Sequence, residues 1–147
     1  MRFRLPVRAG VAIACLGAAA LQIPGLLATT EIKRSQAAQR AGHPGQALAW
    51  ARDAAGAEPW SASAYLQRGL VLESVGQLPA AAHDVERAIS HERTNFANWL
   101  VLARIQTERG FYTAAANDYD RARRLRPQGQ VFQLAQLVAG LSPAPAH

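Results

Sequence analysis

With 147 residues the chain has the length of one domain, and with residues 1–28 set aside as a hydrophobic leader the remainder still supports a modest core. Half of the residues are hydrophobic, but many are alanine and only 7% are aromatic, which suits closely packed helices and argues against a β-sandwich. The formal charge of +6 counts Arg2, Arg4 and Arg8 at the start of the leader, so the rest is only mildly basic and falls short of a nucleic-acid-binding face. A lone cysteine, Cys15, excludes a disulfide framework and a cysteine metal cluster.

Ala9 to Ala28 is a run of twenty uncharged residues, preceded by the three arginines and followed by Glu31, Lys33 and Arg34. In a helix it rises about 30 Å, the thickness of a hydrocarbon core. Residues 1–28 are therefore expected to be a retained signal anchor, a transmembrane helix with its N-terminus inside and the rest of the chain on the extracytoplasmic side. A cleaved signal peptide, with Ala18-Ala19-Ala20 as its small-residue site, is the alternative and would leave a secreted or periplasmic protein. A lipoprotein signal ending at Cys15 fits less well, because only six uncharged residues separate it from Arg8. Gly10, Ala14, Ala18 and Gln22 share one face of this helix, a stripe suited to association with another transmembrane helix. Pro24-Gly25 should kink it where it leaves the bilayer.

Beyond the leader the sequence repeats. Gly42, Gly76 and Gly110 are 34 residues apart, as are Ala47, Ala81 and Ala115, and Ala54, Ala88 and Ala122. Pro59, Arg93 and Pro127 keep the same phase. Each unit reads as two amphipathic helices that meet at the repeated glycine, with the repeated alanines letting the pair approach closely. Large apolar residues fall at helical spacing: Tyr65, Leu66, Leu72, Val85 and Ile89 in the middle unit, then Trp99, Leu100, Tyr119 and Leu125 in the last. The spacing predicts helices over 29–41, 45–57, 62–75, 79–91, 96–109 and 112–125. A seventh, over 130–140, carries Val131, Phe132, Leu134, Leu137 and Val138 and would cap the stack. The chain thus divides into the leader, a repeat domain over 29–140 and a disordered tail over 141–147.

These residues resemble the tetratricopeptide repeat family. Tyr65 and Trp99 match its aromatic early in the first helix, and Gly69 and Ala103 its small residue four positions on. Gly76 and Gly110 match the turn glycine, Ala81 and Ala115 the first alanine, Val85 and Tyr119 the large residue, Ala88 and Ala122 the second alanine, and Pro127 the closing proline. Arg93 replaces that proline in the middle unit, and Glu31 and Ser35 replace the aromatic and the small residue in the first. The resemblance implies an all-α solenoid of about three helical hairpins plus a capping helix, behind the transmembrane helix. The segments Asn95 to Ile105 and Arg121 to Pro127 are also similar to the repeats that follow the membrane part of bacterial O-antigen-ligase-like proteins. That likeness implies a cell-envelope location and a role beside surface-polysaccharide assembly.

No catalytic constellation appears: there is no HExxH, no nucleophile elbow and no phosphate-cradling glycine loop. His83 and His91, with Asp84 and Glu86 nearby, fit no metal-ligand spacing and are read as an exposed helix face. Asp118, Asp120, Arg121 and Arg124 read as a solvated surface, and Arg121, Arg123, Arg124 and Arg126 as cations at a helix C-terminus. No enzyme, cofactor or metal is expected. The resemblance places a protein or peptide partner in the concave face lined by the first helices: Gln36 and Arg40, then Leu66, Leu70 and Glu73, then Leu100, Arg104, Thr107 and Glu108. Family members that hold a terminal carboxylate use a Lys and an Asn on neighbouring first helices. Leucines and Arg104 stand there instead, which suits an amphipathic or extended segment. The competing reading is a structural subunit that associates through its transmembrane helix.

Overall fold

A computed structural model describes residues 28–130 and Phe132. Six helices follow one another: α1 (28–40), α2 (Pro44–Ala57), α3 (Ala62–Ser74), α4 (Leu78–His91), α5 (Phe96–Glu108) and α6 (Tyr112–Leu125). Among the described residues there is no strand. Helices pair as α1/α2, α3/α4 and α5/α6, and the pairs stack through α2 on α3 and α4 on α5.

Each hairpin closes by the same device. Gly42, Gly76 and Gly110 sit at φ 75°, 76° and 82°, the left-handed region in which a side chain is strained. The residue after each glycine then donates its N–H five residues back, His43 to Ala38, Gln77 to Leu72 and Phe111 to Gln106, at 2.9 Å in all three. This is the Schellman ending, and it satisfies carbonyls that the helix terminus would otherwise leave free. Pro44 and Pro79 follow in the first turn of the next helix, where a missing N–H costs nothing. The spacing of 34 residues is thus the length of one helix, one such turn, a second helix and a return loop.

The repeated alanines lie between helices, as the sequence implies. Ala47, Ala54, Ala81, Ala88 and Ala122 are fully buried and Ala115 nearly so. The main apolar core joins the second and third hairpins through Leu72, Ala82, Val85, Ile89, Leu102 and Ile105. Leu125 departs from expectation. It is 42% exposed, in the last turn of α6 on the same surface as Arg121 and Arg124.

The anchor expected over 1–28, with the Gly10, Ala14, Ala18 and Gln22 stripe assigned to it, lies outside the described residues except for Ala28, as does the tail expected over 141–147. Among the described residues no helix is long and apolar enough to cross a membrane. Of the expected helix over 130–140, Gln130 and Phe132 are helical and the rest lies outside the described residues. Phe132 is buried, with its ring 6.5 Å from that of Phe96 and edge-on to Tyr119 at 5.3 Å.

Candidate functional site

The first helices α1, α3 and α5 are joined in sequence by side-chain hydrogen bonds that differ in kind at the two joints. Between α1 and α3 the joint is neutral. Gln67 Nε2 donates to Ser35 Oγ at 3.0 Å and to Gln39 Oε1 at 3.3 Å, and Ser35 Oγ donates to the Ala47 carbonyl at 2.8 Å. Gln39 Nε2 reaches the Leu70 carbonyl at 3.5 Å. Ser35 and Gln67 are buried, so this network fixes the first hairpin at Ser35, the position of the family pattern's small residue.

Between α3 and α5 the joint is charged. Arg104 donates Nε to Glu73 Oε1 at 2.7 Å and Nη2 to Oε2 at 2.6 Å, a two-pronged pair between consecutive units. The Glu73 side chain is 11% exposed and that of Arg104 is 55% exposed, so the carboxylate is enclosed and the guanidinium faces outward. These hydrogen bonds raise the Arg104 pKa above its ordinary value, against a smaller opposing effect of burial.

Leu66, Leu70 and Leu100 are half-buried on the same helices. Leu100, Arg104 and Thr107 line a cavity of about 460 Å³ between α5 and α6, which Tyr112, Tyr119 and Asp120 complete from the α6 side. Thr107 Oγ1 is already committed to the Ala103 carbonyl at 2.9 Å. Gln36, Arg40 and Glu108 are exposed and do not line this cavity. The α6 contribution was not anticipated. Its sequence signal is the pair Tyr112 and Tyr119, two aromatics seven residues apart on one second helix.

Other charged groups are placed differently from expectation. Asp84 is not on an exposed face with His83 and His91. It is 3% exposed and holds Arg68 through Nε at 2.6 Å and Nη2 at 2.5 Å. His91 stacks on Tyr65 at 5.7 Å, with Arg87 4.3 Å from the same ring. Among the described residues no three potential ligands gather into a metal site. Nor is the arginine cluster simply solvated. Arg121 lies over Trp99 at 4.9 Å and Arg126 over Phe96 at 5.0 Å, while Arg123 pairs with Asp120 at 3.0 Å. Burial raises the pKa of Asp118, with Arg121 opposing the shift and Glu86 adding to it.

No family model and no curated protein matches the chain. Among solved structures it is similar to the Arabidopsis OM64 TPR domain, with a TM-score of 0.70 at 18% identity over 80% of this chain and 98% of that one. The second TPR domain of human RPAP3, in complex with an HSP70 peptide, aligns with a TM-score of 0.69 at 17% identity over 82% and 99%. The Yersinia enterocolitica type III secretion translocator chaperone SycD aligns with a TM-score of 0.69 at 15% identity over 78% and 88%. The fold is that of tetratricopeptide repeat domains.

Proposed function

We propose that this chain is a non-catalytic scaffold that holds an amphipathic or extended segment of a partner protein along α1, α3 and α5. The observation that carries the reading is the Glu73–Arg104 pair, on the same helices as the half-buried Leu66, Leu70 and Leu100, with Arg104 and Leu100 lining the cavity of the third hairpin. Neighbours of this fold include a domain in complex with a peptide, which supports the same use here. Because Arg104 is engaged by Glu73, affinity must come largely from apolar contact with Leu66, Leu70 and Leu100. The outward-facing guanidinium edge then fixes register.

The sequence supports a setting for this scaffold. The uncharged run from Ala9 to Ala28 behind three arginines would anchor it in the membrane, with the repeats on the extracytoplasmic side close to the bilayer. Partners would then be membrane proteins or assemblies beside them, and the likeness to O-antigen-ligase-like repeats favours surface-polysaccharide assembly. Intact-mass measurement on detergent-extracted protein tests the anchor: a mature chain beginning near residue 21, recovered without detergent, refutes it.

The groove is tested by affinity capture from membrane extract with the full chain. Arg104→Glu places two carboxylates face to face and should abolish capture of the partner. Arg52→Glu, on an exposed face of α2, should leave capture intact. Equal capture by both variants would rule out this face.

A further inference from the structure

A second surface shares no residue with the groove cavity. Two adjoining cavities of about 410 and 330 Å³ meet at Arg93, Trp99 and Arg121, between the loop that follows α4, the first turn of α5 and the end of α6. Arg93 stands where the first and third units carry proline, and its backbone carbonyl accepts the indole N–H of Trp99 at 2.9 Å. That bond holds the loop against the ring. On the ring itself lies the Arg121 guanidinium, 4.9 Å from the centroid. Arg124 and the exposed Leu125 complete the outer cavity.

Three exposed arginines therefore converge, and among the described residues none of them is ion-paired with a carboxylate. This contrasts with Arg68 and Arg104, each held by an acidic partner. Guanidiniums set near an aromatic face and an exposed leucine match a ligand with discrete carboxylates and an apolar group between them. A dense phosphate backbone fits less well. Glu86 lines the inner cavity and Asp118 lies close enough for Glu86 and Arg121 to act on its charge, while one face of Trp99 is already covered and offers no bare stacking platform.

We propose that the Arg93–Trp99–Arg121–Arg124 surface is a second docking site, for an acidic segment of a partner protein with apolar residues among its carboxylates. The scaffold would then join two ligands at once, one in the groove and one here.

The test uses the full chain and fluorescence polarisation with a labelled peptide of alternating glutamate and leucine. A counterpart with glutamine in place of glutamate and a labelled oligothymidylate serve as comparisons. Wild-type protein should bind the acidic peptide, more weakly as salt rises, and should bind the other two at least about tenfold less tightly. R93Q/R124Q removes two guanidiniums with no ion pair among the described residues, so the variant should keep the parent's far-UV spectrum and lose about tenfold or more in affinity. R104Q, whose side chain lines the groove cavity and neither of these two, should bind the acidic peptide as the parent does. No binding to wild type, equal binding by R93Q/R124Q, or tighter binding of the oligonucleotide each overturns the proposal. Loss confined to R104Q overturns it as well, by placing the peptide in the groove.

Discussion

Gly69→Ala isolates a close approach of α3 to α4 in the middle hairpin. A β-carbon on Gly69 would lie 2.9 Å from Val85 Cγ2 and 3.2 Å from the Ala81 carbonyl oxygen, with Asp84 Cβ at 3.6 Å. Neither of the nearest atoms yields easily. Val85 is fully buried and β-branched, hence stiff at χ1 in a helix, and the carbonyl belongs to the α4 backbone. Intrinsic helix propensity favours alanine by about 1 kcal/mol, while overpacking of this kind costs about 1–3 kcal/mol. The second effect should win, because parting α3 from α4 also pulls on the Arg68–Asp84 pair, whose residues adjoin Gly69 and Val85 in sequence. The expected result is a net loss of about 1 kcal/mol, a fall of about 4–8 °C in Tm for a domain of this size. Thermal and urea unfolding followed by far-UV circular dichroism measures it. In a Val85→Ala background, where room has been made, Gly69→Ala should be neutral or stabilising. A single variant that melts at or above the parent would refute the close approach.

Three further outcomes can be measured the same way. Asn98 is 1% exposed and neither side-chain polar atom has a partner, so Asn98→Ala, which installs the residue the second unit carries at Ala64, should stabilise by about 1 kcal/mol; a comparable loss would show that the amide is satisfied. Burial raises the Asp118 pKa, so ionisation penalises the folded state as pH rises through and above the raised value, and no penalty remains below the ordinary carboxylate range. Asp118→Asn should therefore melt above the parent at neutral pH and converge with it in acid; an advantage independent of pH contradicts the assignment. Glu73→Arg with Arg104→Glu should recover stability that either single change loses, yet fail to restore partner capture. Recovery of both would mean that the pair serves only to join the units.

Helix positions were legible because a 34-residue period is hard to mimic: the six expected helices and the described ones begin and end within about a residue of each other. Gly42, Gly76 and Gly110 announced the turns because only a left-handed residue completes the Schellman ending. Pairings between helices were not legible. Ser35, Gln39 and Gln67 are polar residues that look like surface, and they are drawn inward only because α1 lies against α3. Asp84 looked like part of an acidic and histidine-bearing face until Arg68, sixteen residues away on the preceding helix, proved to be its partner. Glu73 and Arg104 were placed in the groove individually, but their mutual engagement depends on the offset between stacked hairpins, which no single-helix periodicity encodes. The stacking of Arg121 on Trp99 escaped for a related reason. Its repeat equivalent, Arg87 on Tyr65, shows the same arrangement one unit earlier, so comparison between units carries a signal that the helix-terminus reading passes over.

The two joints between first helices also differ in how they respond to surroundings. A repeat stack is stabilised by its units and by the interfaces between neighbours, so each joint contributes separately. The neutral network of Ser35, Gln39 and Gln67 is largely enclosed and carries no net charge, so salt has little to screen. The Glu73–Arg104 pair is open on the arginine side, where ionic strength and ligands reach it. A free anion arriving at Arg104 must compete with a carboxylate already held in place on the same chain, at high effective concentration and with both prongs made. Charge alone therefore gives little advantage to a groove ligand. One that also covers Leu66, Leu70 and Leu100 removes water from around the pair and strengthens it, which couples occupancy of the groove to the fit of the third hairpin on the second. On this argument ligand binding and salt act on the same joint in opposite directions, while the first joint stays fixed.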